Sequence, residues 1–153
     1  MEDLHEKFIL GIMKRHNVMT LATVRRDGFP QATTVAYAND GLDLYFCCDK
    51  TSQKVKNISR SNKVSATIDH DTRDWNKIKA ISLAGHATVL KGKRARAHAA
   101  ELLTRKFPQQ GSFSADDPAV AFVQVQPSVV SLLDYSQGFG HTELIEIPAS
   151  TAP

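Results

Sequence analysis

Between residues 42 and 54 the chain gathers the side chains best suited to holding an anionic ligand. An apolar, aromatic run, Leu42-Asp43-Leu44-Tyr45-Phe46-Cys47-Cys48, has strand composition and stops abruptly at Asp49-Lys50-Thr51-Ser52-Gln53-Lys54. Thr51 or Ser52 then makes a good helix N-cap, and Val55 and Ile58 begin an apolar helical face. A strand that feeds hydroxyls and a lysine into a helix N-terminus is a recipe for binding phosphate. Free N–H groups, the positive end of the helix dipole and an ammonium converge there. The same pattern also describes an ordinary capped surface helix, so the surrounding elements must decide.

The remaining candidates are more scattered. His70, His86 and His141 lie far apart with no repeated spacing, so no metal site is expected. Cys47 and Cys48 are the only cysteines; neighbours in a strand point to opposite faces, which disfavours a disulfide between them. Trp75 is the lone tryptophan, in a polar loop over 71–77, either a packing anchor or a cover for a ligand. Gly138 and Gly140 flank Phe139 and present it beside His141, either plugging the core or shaping a pocket. Trp75, Phe139 and His141 are therefore candidate substrate-pocket residues. No titratable pair at catalytic spacing stands out, and catalytic residues stay unassigned; this fits chemistry carried by a cofactor.

Apolar periodicity places these residues on elements. Leu4, Phe8 and Ile12 stripe a helix over 3–16, acidic at its start and basic at its end. Residues 18–25 alternate as a strand, Asp27-Gly28 signals a hairpin, and 31–37 form the next strand. Asn39-Asp40-Gly41 turns into 42–48, giving an antiparallel meander. A helix follows near 52–60, then strands at 63–69 and 78–90, with Gly85 marking a bulge or close backbone approach. A helix over 93–107 stops at Pro108, and a polar loop covers 109–118. Strands at 120–125 and 128–134, separated by Pro127, and at 142–147 complete the set. Seven or eight antiparallel strands lose their exposed edges most simply by closing into a small barrel flanked by helices.

With 153 residues, 42% hydrophobic and 23% charged, the chain suits one domain over 1–153, with a disordered tail at 148–153. No apolar run reaches membrane-span length, and the acidic N-terminus is unlike a signal peptide, so a cytoplasmic protein is expected. A net charge of +3 permits an anionic ligand, and the basic cluster at 91–96 lacks interleaved aromatics, arguing against nucleic acid.

The order of these elements carries a family resemblance. Asp27-Gly28-Phe29-Pro30, the strand Ala32-Thr33-Thr34-Val35-Ala36-Tyr37, the turn at Asp40-Gly41, Leu44-Tyr45-Phe46, Ser52-Gln53-Lys54, Asn57-Ile58 and Lys63-Val64-Ser65-Ala66 follow one another as in a known superfamily. They resemble the pyridoxamine 5′-phosphate oxidase-like, FMN-binding split-barrel proteins, over about residues 18–90. The resemblance implies a mainly β fold, an antiparallel Greek-key six-stranded split barrel, in a homodimer with FMN sites at the interface. It implies phosphate binding by Ser52, Gln53 and Lys54, where the family has Ser-Arg-Lys. It places the flavin ring beside Thr33, Thr34, Val35 and Ala36, and the ribityl and phosphate beside Cys47 and Cys48. A phosphate-gripping arginine of the oxidases falls at Ala32, a lysine near substrate and flavin at Tyr37, and a ring-contacting glutamine at about Ala80. Losing arginine for glutamine removes a bidentate charged grip, which argues against pyridoxamine phosphate as substrate. Tyr37 is then a pocket-border residue. The reading is an FMN-dependent oxidoreductase acting on a small molecule. A flavin- or haem-binding carrier or stress-related protein, or a deazaflavin-dependent reductase, stands as the alternative.

Overall fold

A computed structural model of the chain describes residues 2–149; the tail expected at 148–153 falls outside them beyond Ala149. Helix α1 (Asp3–Arg15) leads into β1 (Val18–Val24), β2 (Pro30–Ala36), β3 (Ala38–Asp40) and β4 (Asp43–Asp49). Then come α2 (Gln53–Arg60), β5 (Lys63–Ile68), β6 (Lys79–Val89), α3 (Lys93–Lys106), β7 (Val120–Asp134) and β8 (Thr142–Glu146). The strands form one antiparallel sheet in the order β2-β1-β5-β6-β7-β4-β3, with β8 added beside β7. No described helix is long and apolar enough to cross a membrane.

The strand order forces closure. β2 and β3 stand at opposite ends of the sheet, yet only Tyr37 separates them in the chain. Flat, those ends would lie roughly 30 Å apart at about 4.8 Å per strand. One residue spans about 3.5 Å. The sheet therefore curls until its two ends meet, and β2 and β3 act as one strand broken at Tyr37. The curled sheet is a mainly β split barrel with flanking helices.

Alternation fills its interior with Met19, Leu21, Leu44, Phe46, Ile68 and Ile81, all essentially inaccessible. Burying side chains of this size contributes about 1.5–3 kcal/mol each. Ile9, Ile12 and Met13 of α1 and Ile58 of α2 join this same core, so these helices plug the barrel. Helix α3 packs elsewhere, on Tyr45 and Phe122 through Ala99, Ala100 and Leu103.

Two expectations need correction. Residues 120–125 and 128–134 are one strand, not two, because the register slips by one residue where Gly85 faces Pro127. A bulge is one of the few places where a proline without an N–H fits a ladder. A Cβ on Gly85 would collide with the carbonyl of Gln126, so the close approach requires glycine. The expected meander is also incomplete. β4 pairs with β3 only from Asp43 to Tyr45, and β2, though close to it, forms no ladder with it.

Tyr37, expected at a pocket border, is instead wholly buried in the core. Its hydroxyl donates to the Met13 carbonyl at 2.6 Å, and the Lys106 ammonium sits 3.9 Å over its ring while donating to the His16 carbonyl at 2.7 Å. Unpaired carbonyls at the end of α1 are thus satisfied from β2–β3 and from α3.

Replacing Tyr37 with phenylalanine should cost about 1–2 kcal/mol, lowering Tm by roughly 3–6 °C in a thermal melt, with ligand affinity unchanged. Gly85→Ala should cost at least about 2 kcal/mol, seen as a larger fall in Tm.

Candidate functional site

The seam where the barrel closes is held together over very few residues, and it opens into a cleft. On one side lies β2, an edge strand. Its backbone bonds to β1 alternate, and the Tyr37 N–H to Asn17 carbonyl bond (3.2 Å) and the Arg25 N–H to Phe29 carbonyl bond (2.9 Å) fix the phase. Odd-numbered residues face β1 with their backbone groups; Ala32, Thr34 and Ala36 turn theirs to the free edge. On the other side lies β4, paired along its length with β7 but with β3 only as far as Tyr45. From Phe46 onward its second edge is open.

Between these edges is a cleft of about 650 Å³, lined by Thr34, Val35 and Ala36 from β2, Cys47 and Cys48 from β4, and Lys54 from α2. Its size falls within the range of about 300–1,000 Å³ typical of small-molecule sites. Six of the nine residues expected at a cofactor thus converge on one cleft. Burial and the neighbouring Cys48 push the Cys47 thiol up, so it stays protonated and lines the cleft as a small apolar group.

The turn from β4 into α2 is rigid. Hydrogen bonds from the Thr51 N–H (2.7 Å) and hydroxyl (2.6 Å) hold the Asp49 carboxyl below the usual carboxylate range. The Asp49 carbonyl accepts from the Ser52 N–H at 3.0 Å. Ser52 occupies the N-cap, and its hydroxyl contacts the Cys48 Sγ at 3.5 Å rather than capping the helix. The N–H groups of the first helical turn point out of the helix beside Lys54. Lys54 has no hydrogen-bond or ion-pair partner among the described residues.

Gln53, expected at the phosphate, turns away and donates to Asn57 Oδ1 at 2.8 Å. Asn57 is 2% exposed, and its amide donates to Thr23 Oγ1 and Gln31 Oε1, both at 3.0 Å. This network bolts α2 to β1 and β2 together, fixing Lys54 relative to the free edge. Thr33 places its side chain on the opposite face of β2 from Thr34, with a buried hydroxyl that finds no partner.

The opposing wall is absent from the sequence reading. Leu103 and Phe107 from the end of α3, with Gln109, Gln110 and Phe113 from the segment beyond it, face the strands, and Asn17 completes the lining. Arg96 latches that segment by donating to the carbonyls of Ala115 (3.0 Å), Val120 (3.0 Å) and Asp117 (2.9 Å). Its guanidinium lies 4.9 Å over the Phe122 ring, and the Phe113 N–H bonds to Thr104 Oγ1 at 3.1 Å. The signal available was Phe107-Pro108, a helix stop with an aromatic at its edge.

Trp75 and Phe139 come together, and His141 lies two residues beyond Phe139 in the same turn, none of them at this cleft. Trp75 and Phe139 stack at 5.5 Å, with Tyr135 edge-on to Phe139 at 5.7 Å. They are 62% and 79% exposed, respectively. His141 follows in the β7–β8 turn, 3.9 Å from Glu143, and its carbonyl accepts from the Asp134 N–H at 3.1 Å.

The same architecture occurs in solved structures. A haem-binding protein from Mycobacterium smegmatis superposes with a TM-score of 0.76 at 19% identity, covering 95% of this chain and 59% of that one. This chain therefore spans well under two thirds of that protein's length. General Stress Protein 26 from Bacillus anthracis matches with a TM-score of 0.71 at 16% identity, covering 94% and 98% of the two chains. The haem storage protein HutZ from Vibrio cholerae matches at 0.68 and 14% identity, covering 80% and 89%. At these identities the likeness is one of fold. No curated protein matches the sequence. The family model described as pyridoxamine 5′-phosphate oxidase matches residues 4–134, and the chain belongs to that family.

Proposed function

We propose that the protein binds FMN in this cleft and works as a homodimeric oxidoreductase on a small molecule. The observation that carries the reading is the convergence of two open strand edges and the start of α2 on one cleft whose sole charged lining residue, among those described, is Lys54. Such a site suits a ligand with a flat polar-edged ring at one end and a phosphate at the other. The Lys54 ammonium, the Ser52 hydroxyl and the first N–H groups of α2 would take the phosphate. The free backbone groups of Thr34 and Ala36, with Val35 between them, would meet the polar edge of the ring. FMN supplies hydride or electron transfer when bound; the protein supplies binding, orientation and exclusion of water.

Haem is a weaker fit. Its iron calls for an axial histidine, cysteine thiolate, methionine or tyrosine. No histidine lines the cleft among the described residues, and burial keeps the Cys47 thiol protonated.

What the helices leave bare supports the dimer reading. α1 and α2 plug the barrel and α3 covers Tyr45 and Phe122, while the outer faces of β1 and β2 carry Val18, Thr20, Ala22, Val24, Thr34 and Ala36. Val18 is 49% exposed. This nearly uncharged, small-residue face continues directly into the cleft, as a symmetric partner surface would. Trp75, Phe139 and His141 are then assigned to the partner's cleft.

The purified protein should take up FMN with saturable quenching of flavin fluorescence and show paired near-ultraviolet and blue bands, not a Soret band. Lys54→Ala should weaken FMN by about 1–3 kcal/mol, read as the shift in Kd. An unchanged Kd, or no FMN binding by the unmodified protein, would overturn the reading.

A further inference from the structure

We propose that the half of the cleft walled by Leu103, Phe107, Gln109, Gln110 and Phe113 takes a neutral, planar, apolar-faced molecule, and rejects a phosphorylated one. The proposal rests on the flavin reading for the cleft's other half and names the substrate class of the same site.

The charge inventory leads there. Lys54 is the one charged side chain lining the cleft among the described residues, and a bound FMN phosphate would occupy it. Three cations of the neighbouring helix α3 are engaged elsewhere, and Lys93 and Arg94 stand at its opposite end from the wall. Arg96 donates to three carbonyls of the 115–120 segment. Arg105 pairs with Glu101 at 2.6 Å, and the Lys106 ammonium donates to the His16 carbonyl over the Tyr37 ring. A second phosphate entering beside this wall would lose its water and gain no cation, an expensive exchange. The half-buried Phe113 ring, backed by the mostly buried Leu103 and Phe107, instead offers an apolar aromatic face to a flat ring. Gln109 and Gln110 each bring a neutral donor and acceptor, suited to a carbonyl or hydroxyl at that ring's rim. The Arg96 latch holds the wall in place before any ligand arrives, which limits the ordering cost of binding.

Naphthol and naphthyl phosphate, one ring system without and with the ester, separate the classes. Titrated into FMN-loaded protein and followed by probe fluorescence and calorimetry, naphthol should bind at least about tenfold more tightly than its phosphate. Phe113→Ala should weaken naphthol several-fold while leaving the FMN Kd unchanged. Gln110→Arg, at an exposed position that tolerates a long side chain, should narrow or reverse the preference. Equal or tighter binding of the phosphate, no naphthol binding, or a Phe113→Ala variant with undiminished naphthol affinity would each overturn the proposal. FMN affinity is measured first and separately, so its failure marks the flavin reading alone. The naphthol pair is then titrated into the FMN-free protein and judged by the same outcomes.

Discussion

The single-residue link at Tyr37 is the constraint on which the rest depends. Because it joins strands at opposite ends of the sheet order, no flat arrangement of this sheet is available to the chain. Closure, however, is incomplete. β3 holds β4 over three residues and β2 holds β1 over seven, and between those ladders neither strand has a partner on its inner edge. Open edges carry unpaired N–H and C=O groups that need water, another strand or a ligand. The cleft is therefore a direct consequence of how the barrel closes. Tyr37 secures the link by burying its ring and bonding Met13, which ties the seam to α1, while Lys106 adds α3. One contact cluster fixes the seam and the two helices beside it.

Local chemistry was the readable part of the chain. Gly28 and Gly41 adopt φ of +88° and +57°, the left-handed turns that Asp-Gly pairs announce, and the strands they join lie where alternation puts them. The phosphate-type turn was readable for the same reason, since strand, cap and lysine all fall within a dozen residues. Tyr37 was not, because alternation assigns a side chain to a face but does not say which face becomes a core when a sheet curls. Pro127 was misread because a proline breaks a strand in isolation, whereas here the one-residue slip opposite Gly85 removes the need for its N–H. The wall of the cleft depends on hydrogen bonds from Arg96 to carbonyls some twenty residues away, and no local pattern encodes them.

That division has a functional counterpart. The strand-edge side of the cleft presents backbone groups and a helix terminus, features shared by any chain that closes in this way. Its position is set by Asn57, a buried amide bridging α2 to β1 and β2, so substitutions on the exposed face of α2 leave the geometry intact. The opposing wall is built from side chains at the end of α3 and on the segment after it, which forms no strand. Its exposed positions, Gln109 and Gln110, can change without disturbing the barrel, whereas Leu103 and Phe107 are held in the cluster of α3 with Tyr45 and Phe122.

A family that keeps its cofactor site in the sheet and its substrate contacts on such a segment can change substrate while conserving chemistry. In this chain the departures lie on both sides. Gln53 bonds Asn57 instead of facing the cleft, and Arg96 and Lys106 of α3 are engaged in holding the fold together. What remains in the cleft is a single free ammonium beside a helix terminus, two cysteines, three amides and two aromatic rings. Under the proposed reading, those groups would hold one phosphate and stack one flat molecule against another. None of them forms a proton-transfer pair, so on the proposed flavin reading the chemistry would rest with the bound ring, and the protein's part would be to set which molecule lies against it.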